Sequence, residues 1–112
     1  FVGIEYFDTQ FKYCTNIFSN KKNIEIIKGD FTKIDYLTHN ADCFFVSAPL
    51  KNNSDFINFM NNLIESSFKK KKLFIIVNYE KKIIENLKNL TCIKSFYISN
   101  TSGYSICYND NY

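Results

Sequence analysis

The sequence predicts an α/β fold: a three-layer sandwich in which a mainly parallel sheet is flanked by helices. Three observations predict it. Short apolar runs alternate along the chain with segments of helical spacing. Two of those runs, DCFFVSA (42–48) and LFIIVN (73–78), are apolar without alternation, as in strands covered on both faces. The chain is 46% hydrophobic over 112 residues, enough for one core and one domain spanning 1–112.

FVGIEY (1–6) opens as a strand entering the core. DTQFKYCTNIFSN (8–20) follows as a helix, with Asp8 at its N-cap and Phe11, Cys14, Ile17 and Phe18 on one side. NIEII (23–27) is a second strand, and Gly29 turns the chain out of it. The third strand is 42–48, and Pro49 stops its extension. NSDFINFMNNLIESSF (53–68) has the clearest helical stripe, formed by Phe56, Ile57, Met60, Leu63, Ile64 and Phe68, with Ser54 as its cap. Lys69, Lys70, Lys71 and Lys72 are placed in its last turn, where cations suit the helix dipole. A fourth strand (73–78) leads into a third helix (80–90) with Ile83, Ile84, Leu87 and Leu90 facing inward. Strands 93–99 and 103–108 close the chain. The order is that of a Rossmann-like or flavodoxin-like sheet.

Composition narrows the function less than the fold. The net charge is only +3, so charge alone does not imply a nucleic-acid partner. With 12 Phe, 8 Tyr, no Trp and three Gly, the usage is that of AT-rich codons, which reflects a genome and blurs motifs. Cys14, Cys43, Cys92 and Cys107 form no C-x-x-C pair and lack zinc-site spacing, so no metal is expected. Cys14, Cys43 and Cys107 lie in apolar patterns, and a reducing compartment is expected. No run approaches the roughly 18 apolar residues of a membrane span, so no membrane partner is expected. The chain begins with Phe1, and a further N-terminal segment is expected ahead of it.

Candidate chemistry is sparse. His39, the single histidine, stands between Thr38 and Asn40; a catalytic reading needs a partner that no spacing specifies, and a surface or capping role is the plainer one. Gly3, Gly29 and Gly103 are too far apart for a phosphate-binding loop. Glu5 ends the first strand, Asp30 follows the second and SAPL (47–50) follows the third. This set loosely resembles the class I methyltransferases. The resemblance implies that Glu5 holds a ribose, Asp30 approaches adenine, and Ser47 to Leu50 stand where an NPPY loop often stands. The Gly-rich first turn is missing and SAPL keeps one proline. Exposed strand-end carboxylates are the plainer reading of the two acids.

A second resemblance runs through most of the chain. FVGIEYFDTQ, with Phe1, Val2, Gly3 and Gln10, is similar to the ILFVGT strand and early glutamine of the small-subunit ribosomal protein two family. GDFTKIDYLTHN keeps Gly29, Phe31, Thr32, Leu37, Thr38 and Asn40 of that family's glycine turn and LTN motif. Asp42 opens the next strand as its PD motif does. Asn78 and the segment YISNTSGYSI, with Ile98, Asn100, Ser105 and Ile106, follow in order. Ala41 and Ser99 replace prolines of the pattern, and the helical hairpin of bacterial members is absent between Asn40 and Asp42.

This resemblance implies a trimmed structural protein of an organellar small ribosomal subunit, with no catalysis, cofactor or small-molecule substrate. The mitochondrial matrix is the expected location, with a plastid as the other option. Its partners would be rRNA and neighbouring ribosomal proteins. Lys69, Lys70, Lys71 and Lys72 would neutralise phosphates, and Thr38, His39 and Asn40 would offer polar groups to the rRNA backbone. The alternative reading is a class I S-adenosylmethionine-dependent methyltransferase fragment.

Overall fold

In a computed structural model, which describes residues 2–35, 41–47, 50–66 and 69–110, the chain divides into two units, Phe1–Asp35 and Tyr36–Tyr112. In the first unit β1 (Val2–Glu5) pairs in parallel with β2 (Glu25–Lys28), Gly3 opposite Ile26 and Glu5 opposite Lys28. Two parallel strands need a crossover, and helix α1 (Asp8–Phe18) supplies it. Phe7, not Asp8, occupies the N-cap, with no side-chain cap bond. Asp8 is instead the first helical residue, where its charge suits the positive helix end, and it pairs with Lys28. No side chain of α1 is buried.

The second unit holds a four-stranded sheet in the order β3 (Cys43–Ser47), β4 (Leu73–Val77), β6 (Ser102–Asn109), β5 (Leu90–Ser99). β3 and β4 are parallel, joined through α2 (Asn53–Glu65). β6 runs antiparallel to both β4 and β5. The sheet is therefore mixed where a mainly parallel one is expected. The reason is local: β5 and β6 are joined by a short turn, and only antiparallel neighbours can be joined so tightly.

Burial follows the register. Phe44, Phe74, Cys107 and Cys92 stand side by side across the four strands, and Val46, Ile76, Ser105 and Ser95 form the next row. Phe44, Val46, Phe74, Ile76, Ser105 and Cys107 are buried. The intervening residues are not: Cys43 is exposed and Phe45 is 64% exposed. The continuous apolar run of β3 predicts cover on both faces, yet only alternate side chains are buried. Phe56, Phe59, Met60, Leu63 and Ile64 of α2 and Ile84 of α3 (Lys81–Glu85) supply further core. Full burial of a side chain such as Phe56 or Phe74 is worth about 1.5–3 kcal/mol. Their packing is aromatic in part: Phe44 stacks on Phe74 at 5.3 Å and Phe56 on Tyr79 at 3.6 Å.

Several element ends differ from the sequence expectation. Asn52, not Ser54, caps α2, its Oδ1 accepting from the Asp55 N–H at 3.2 Å. That helix ends at Glu65, so the lysine run lies beyond it, in the connection to β4. α3 ends at Glu85 with Asn86 as its C-cap; Asn89 then turns left-handed at φ 58°, and Leu90 belongs to β5 rather than to an inward helix face. At the other end of that hairpin Gly103 is required. A Cβ there would lie 2.6 Å from the Tyr97 Cα and 2.7 Å from its Cγ.

One buried polar side chain ties the second unit together. Asn109 is fully buried; its Oδ1 accepts from the Lys72 backbone N–H at 2.6 Å and its Nδ2 donates to the Lys70 carbonyl at 2.9 Å. Both bonds close distances of more than thirty residues in sequence, and both satisfy backbone groups at the entry to β4.

Candidate functional site

Ligands of open α/β sheets bind beyond the carboxyl ends of parallel strands. In the first unit that end carries two acids. Glu5 is the last residue of β1, and its carbonyl accepts from the Gly29 N–H at 2.9 Å, which draws the end of β2 and the following turn beside it. Its half-buried carboxylate is approached by the Cys14 thiol at 4.0 Å from α1. Asp30 lies just beyond the same turn. Its Oδ1 accepts from the Thr32 N–H at 2.9 Å and from the Thr32 hydroxyl at 2.6 Å, capping a single 3₁₀ turn (Phe31–Lys33). These Thr32 bonds hold the Asp30 carboxyl below its usual range, so it stays ionised at neutral pH.

In the second unit the carboxyl ends of β3 and β4 carry Ser47, Asn78 and Tyr79. Asn78 turns left-handed at φ 57°, and its N–H donates to the Gly103 carbonyl at 2.8 Å. This sharp exit directs Tyr79 back onto α2, where its hydroxyl donates to Asn53 Oδ1 at 2.8 Å. Ser47 and Leu50 of SAPL are described; the two residues between them, Ala48 and Pro49, lie outside the described residues.

The lysine run stands at the amino end of β4, not at the carboxyl end. Lys72 is 5% exposed and its ammonium lies 3.7 Å from the Asp42 carboxylate. Lys71 sits over the Tyr108 ring at 4.5 Å. Lys69 and Lys70 are exposed, the Lys70 carbonyl serving the Asn109 clamp. Thr38, His39 and Asn40 lie outside the described residues. Sequence reasoning missed Tyr79, Asn53 and Cys14. Asp30-Phe31-Thr32 has the spacing of a side-chain-capped turn and is legible as one; the Tyr79–Asn53 pair, 26 residues apart, has no local signal. Among the described residues no cluster could hold a metal ion, and no helix is long and apolar enough to cross a membrane.

No protein-family model matches the chain, and neither does any curated protein sequence. Solved structures do. A Haemophilus influenzae protein described as a methylase is similar over 96% of this chain and 71% of its own, with a TM-score of 0.71 at 17% identity. An rRNA methylase from Streptococcus thermophilus is similar over 96% of this chain and 71% of its own, with a TM-score of 0.62 at 10% identity. MtNAS, solved with S-adenosylmethionine, is similar over 96% of this chain but only 44% of its own, at a TM-score of 0.62 and 11% identity.

These likenesses establish a small α/β domain of the Rossmann-like kind that methyltransferases use. They correct the ribosomal resemblance, and with it the structural, non-enzymatic role and a partner set of rRNA and ribosomal proteins without a small-molecule ligand. The physical reason is that the matched positions, an apolar strand, a glycine turn and scattered Thr and Asn, recur in any AT-biased α/β chain. The helical hairpin absent between Asn40 and Asp42 is implied by that resemblance alone.

Proposed function

We propose that this chain is part of a class I S-adenosylmethionine-dependent methyltransferase. The observation that carries the reading is the acidic corner at the carboxyl end of the parallel β1–β2 pair. Glu5 is the acceptor for the ribose hydroxyls: an ionised carboxylate offers two oxygens, and a vicinal diol offers two donors. Its geometry suits the role, because the backbone bond from Gly29 fixes the strand end while the side chain keeps acceptor capacity beyond the weak Cys14 contact. Asp30, locked by Thr32, holds the turn that borders the adenine side. The cofactor, when bound, supplies an electrophilic methyl group. In the second unit, by itself, Ser47 ends β3 and Tyr79 is braced by Asn53. The three-layer arrangement expected from the sequence belongs to the same proposal, as does a single domain over 1–112; the likeness across 96% of the chain supports both.

Calorimetric titration of the protein with S-adenosylmethionine tests this. Saturable heat is expected, and Glu5→Ala is expected to weaken binding about tenfold to a hundredfold, the worth of charge-assisted hydrogen bonds. Circular dichroism of the variant checks that the fold persists. No heat at millimolar cofactor, or undiminished binding by a folded Glu5→Ala protein, would overturn the reading.

A further inference from the structure

We propose that Cys92 and Cys107 are a redox-active pair that closes reversibly into a disulfide between β5 and β6. The pair stands on geometry. The two residues are register partners on antiparallel strands, so their side chains share one face of the sheet. Directly opposed residues in such a ladder have Cα atoms about 4.5–5.5 Å apart, inside the span of roughly 4.4–6.8 Å that disulfides occupy. Both cysteines are free thiols. The register shifts between Cys92 and Lys94, and such an irregularity adds local twist to β5 at the point where the sulfurs must turn toward each other.

The other cysteines are placed differently. Cys43 lies on β3 in register with Leu73, on the face opposite to Phe44, Phe74 and Cys107. Cys14 belongs to the first unit, beside Glu5. Cys92 and Cys107 are therefore the one cysteine pair that the sheet register brings together among the described residues.

Their environments divide the labour. Cys107 is fully buried, whereas Cys92 is half-buried and open to a small reagent. Hydrogen bonding with Cys107 lowers the Cys92 thiol below its usual range, and the same interaction together with burial pushes Cys107 up. Cys92 is thus the attacking thiolate and Cys107 the resolving thiol. With a low-molecular-weight disulfide such as oxidised glutathione, the Cys92 sulfur attacks one glutathione sulfur and expels the other as thiolate. The expelled thiolate takes up a proton. Cys107 then gives up its proton and attacks the Cys92 sulfur of the mixed disulfide, releasing the second glutathione. Two protein thiols are oxidised and one glutathione disulfide is reduced to two thiols, so atoms and electrons balance. Cross-strand Cβ atoms sit about 4.5–5.5 Å apart, at or beyond the roughly 3.5–4.5 Å that disulfides prefer. A bond closed across such a pair is expected to be readily reducible, a switch rather than a permanent staple.

The inference does not depend on cofactor binding. The test incubates the folded protein in glutathione redox buffers, alkylates free thiols, and maps the products with trypsin. Trypsin cuts after Lys94, between the two cysteines, so the disulfide appears as two linked peptides that separate on reduction. Expected are that linked pair, alkylated Cys14 and Cys43, and a higher melting temperature of the oxidised protein that reverts with dithiothreitol. Cys92→Ser is expected to remove the link while the protein stays folded, and Cys107→Ser supplies the second variant. The proposal is overturned if Cys92 and Cys107 remain alkylatable where Cys43 has become glutathionylated. It is equally overturned if Cys92 links to another cysteine, or if the oxidised product is an intermolecular dimer.

Discussion

The two units of this chain share one grammar, parallel strands joined by a helix, and differ in how they are held. Every buried side chain among the described residues belongs to the second unit, Tyr36–Tyr112. The first, Phe1–Asp35, has strands of four residues and a helix with nothing buried; Tyr13 is 67% exposed and Ile17 is 50% exposed. Yet the first unit carries Glu5 and Asp30, the acids of the proposed cofactor site. It is held by the β1–β2 ladder, half-buried side chains such as Ile4, Ile26 and Ile27, and the Asp30–Thr32 turn, whereas the second has a fully buried apolar core. Stability is unevenly distributed in proteins, and binding elements come from its lower end.

Mutations can break or sharpen that contrast. Phe74→Ala, at the fully buried centre of β4, is expected to cost about 3–5 kcal/mol in urea unfolding. A cost under about 1 kcal/mol would show that the second unit is not packed as described. Asn109→Ala leaves the buried Lys72 N–H without its acceptor and is expected to cost about 1–3 kcal/mol by the same measurement. An unchanged midpoint would mean that water replaces the amide without loss. Ile17→Ala on α1 is expected to change stability by less than about 0.5 kcal/mol; a core-sized loss would erase the contrast between the units.

The smallest effect is on pH. Because Asp30 titrates below its unfolded value, the stabilisation from the Thr32 turn is present above the unfolded carboxylate range. It is lost as pH falls through the lowered folded value. Thr32→Val removes the hydroxyl bond and is expected to move the Asp30 midpoint upward in an NMR titration. No movement would show that the backbone bond alone holds the carboxylate.

Element type was legible in the sequence because period and length report it. The Phe56, Met60, Leu63 and Ile64 stripe is helical in the structure, and LFIIV is a strand. Helix caps were less legible: Ser54 and Asn52 are both good cap residues two positions apart, and composition cannot choose between them. The run CFFVS reads identically whether one face of a strand is covered or two, so its alternating burial needed coordinates. Four consecutive lysines say nothing of the Asp42 carboxylate or the Tyr108 ring that take up two of them. Of the candidate site, Glu5 and Asp30 were legible as strand-end acids. The weight given to the ribosomal pattern over them came from residues that any strand–turn–strand chain supplies.

The Asn109 clamp has a consequence for how β6 finds its place. Side chains alternate along a strand, so sliding β6 past β4 by one position would turn Asn109 to the opposite face. Its amide would then reach neither Lys70 nor Lys72, and Ser105 and Cys107 would turn away from the core with it. Apolar neighbours such as Ile75 and Ile106 tolerate a shift far better, since one greasy contact resembles the next. The amide therefore acts as a detent: a single directional fitting that tells an otherwise slippery ladder where to stop.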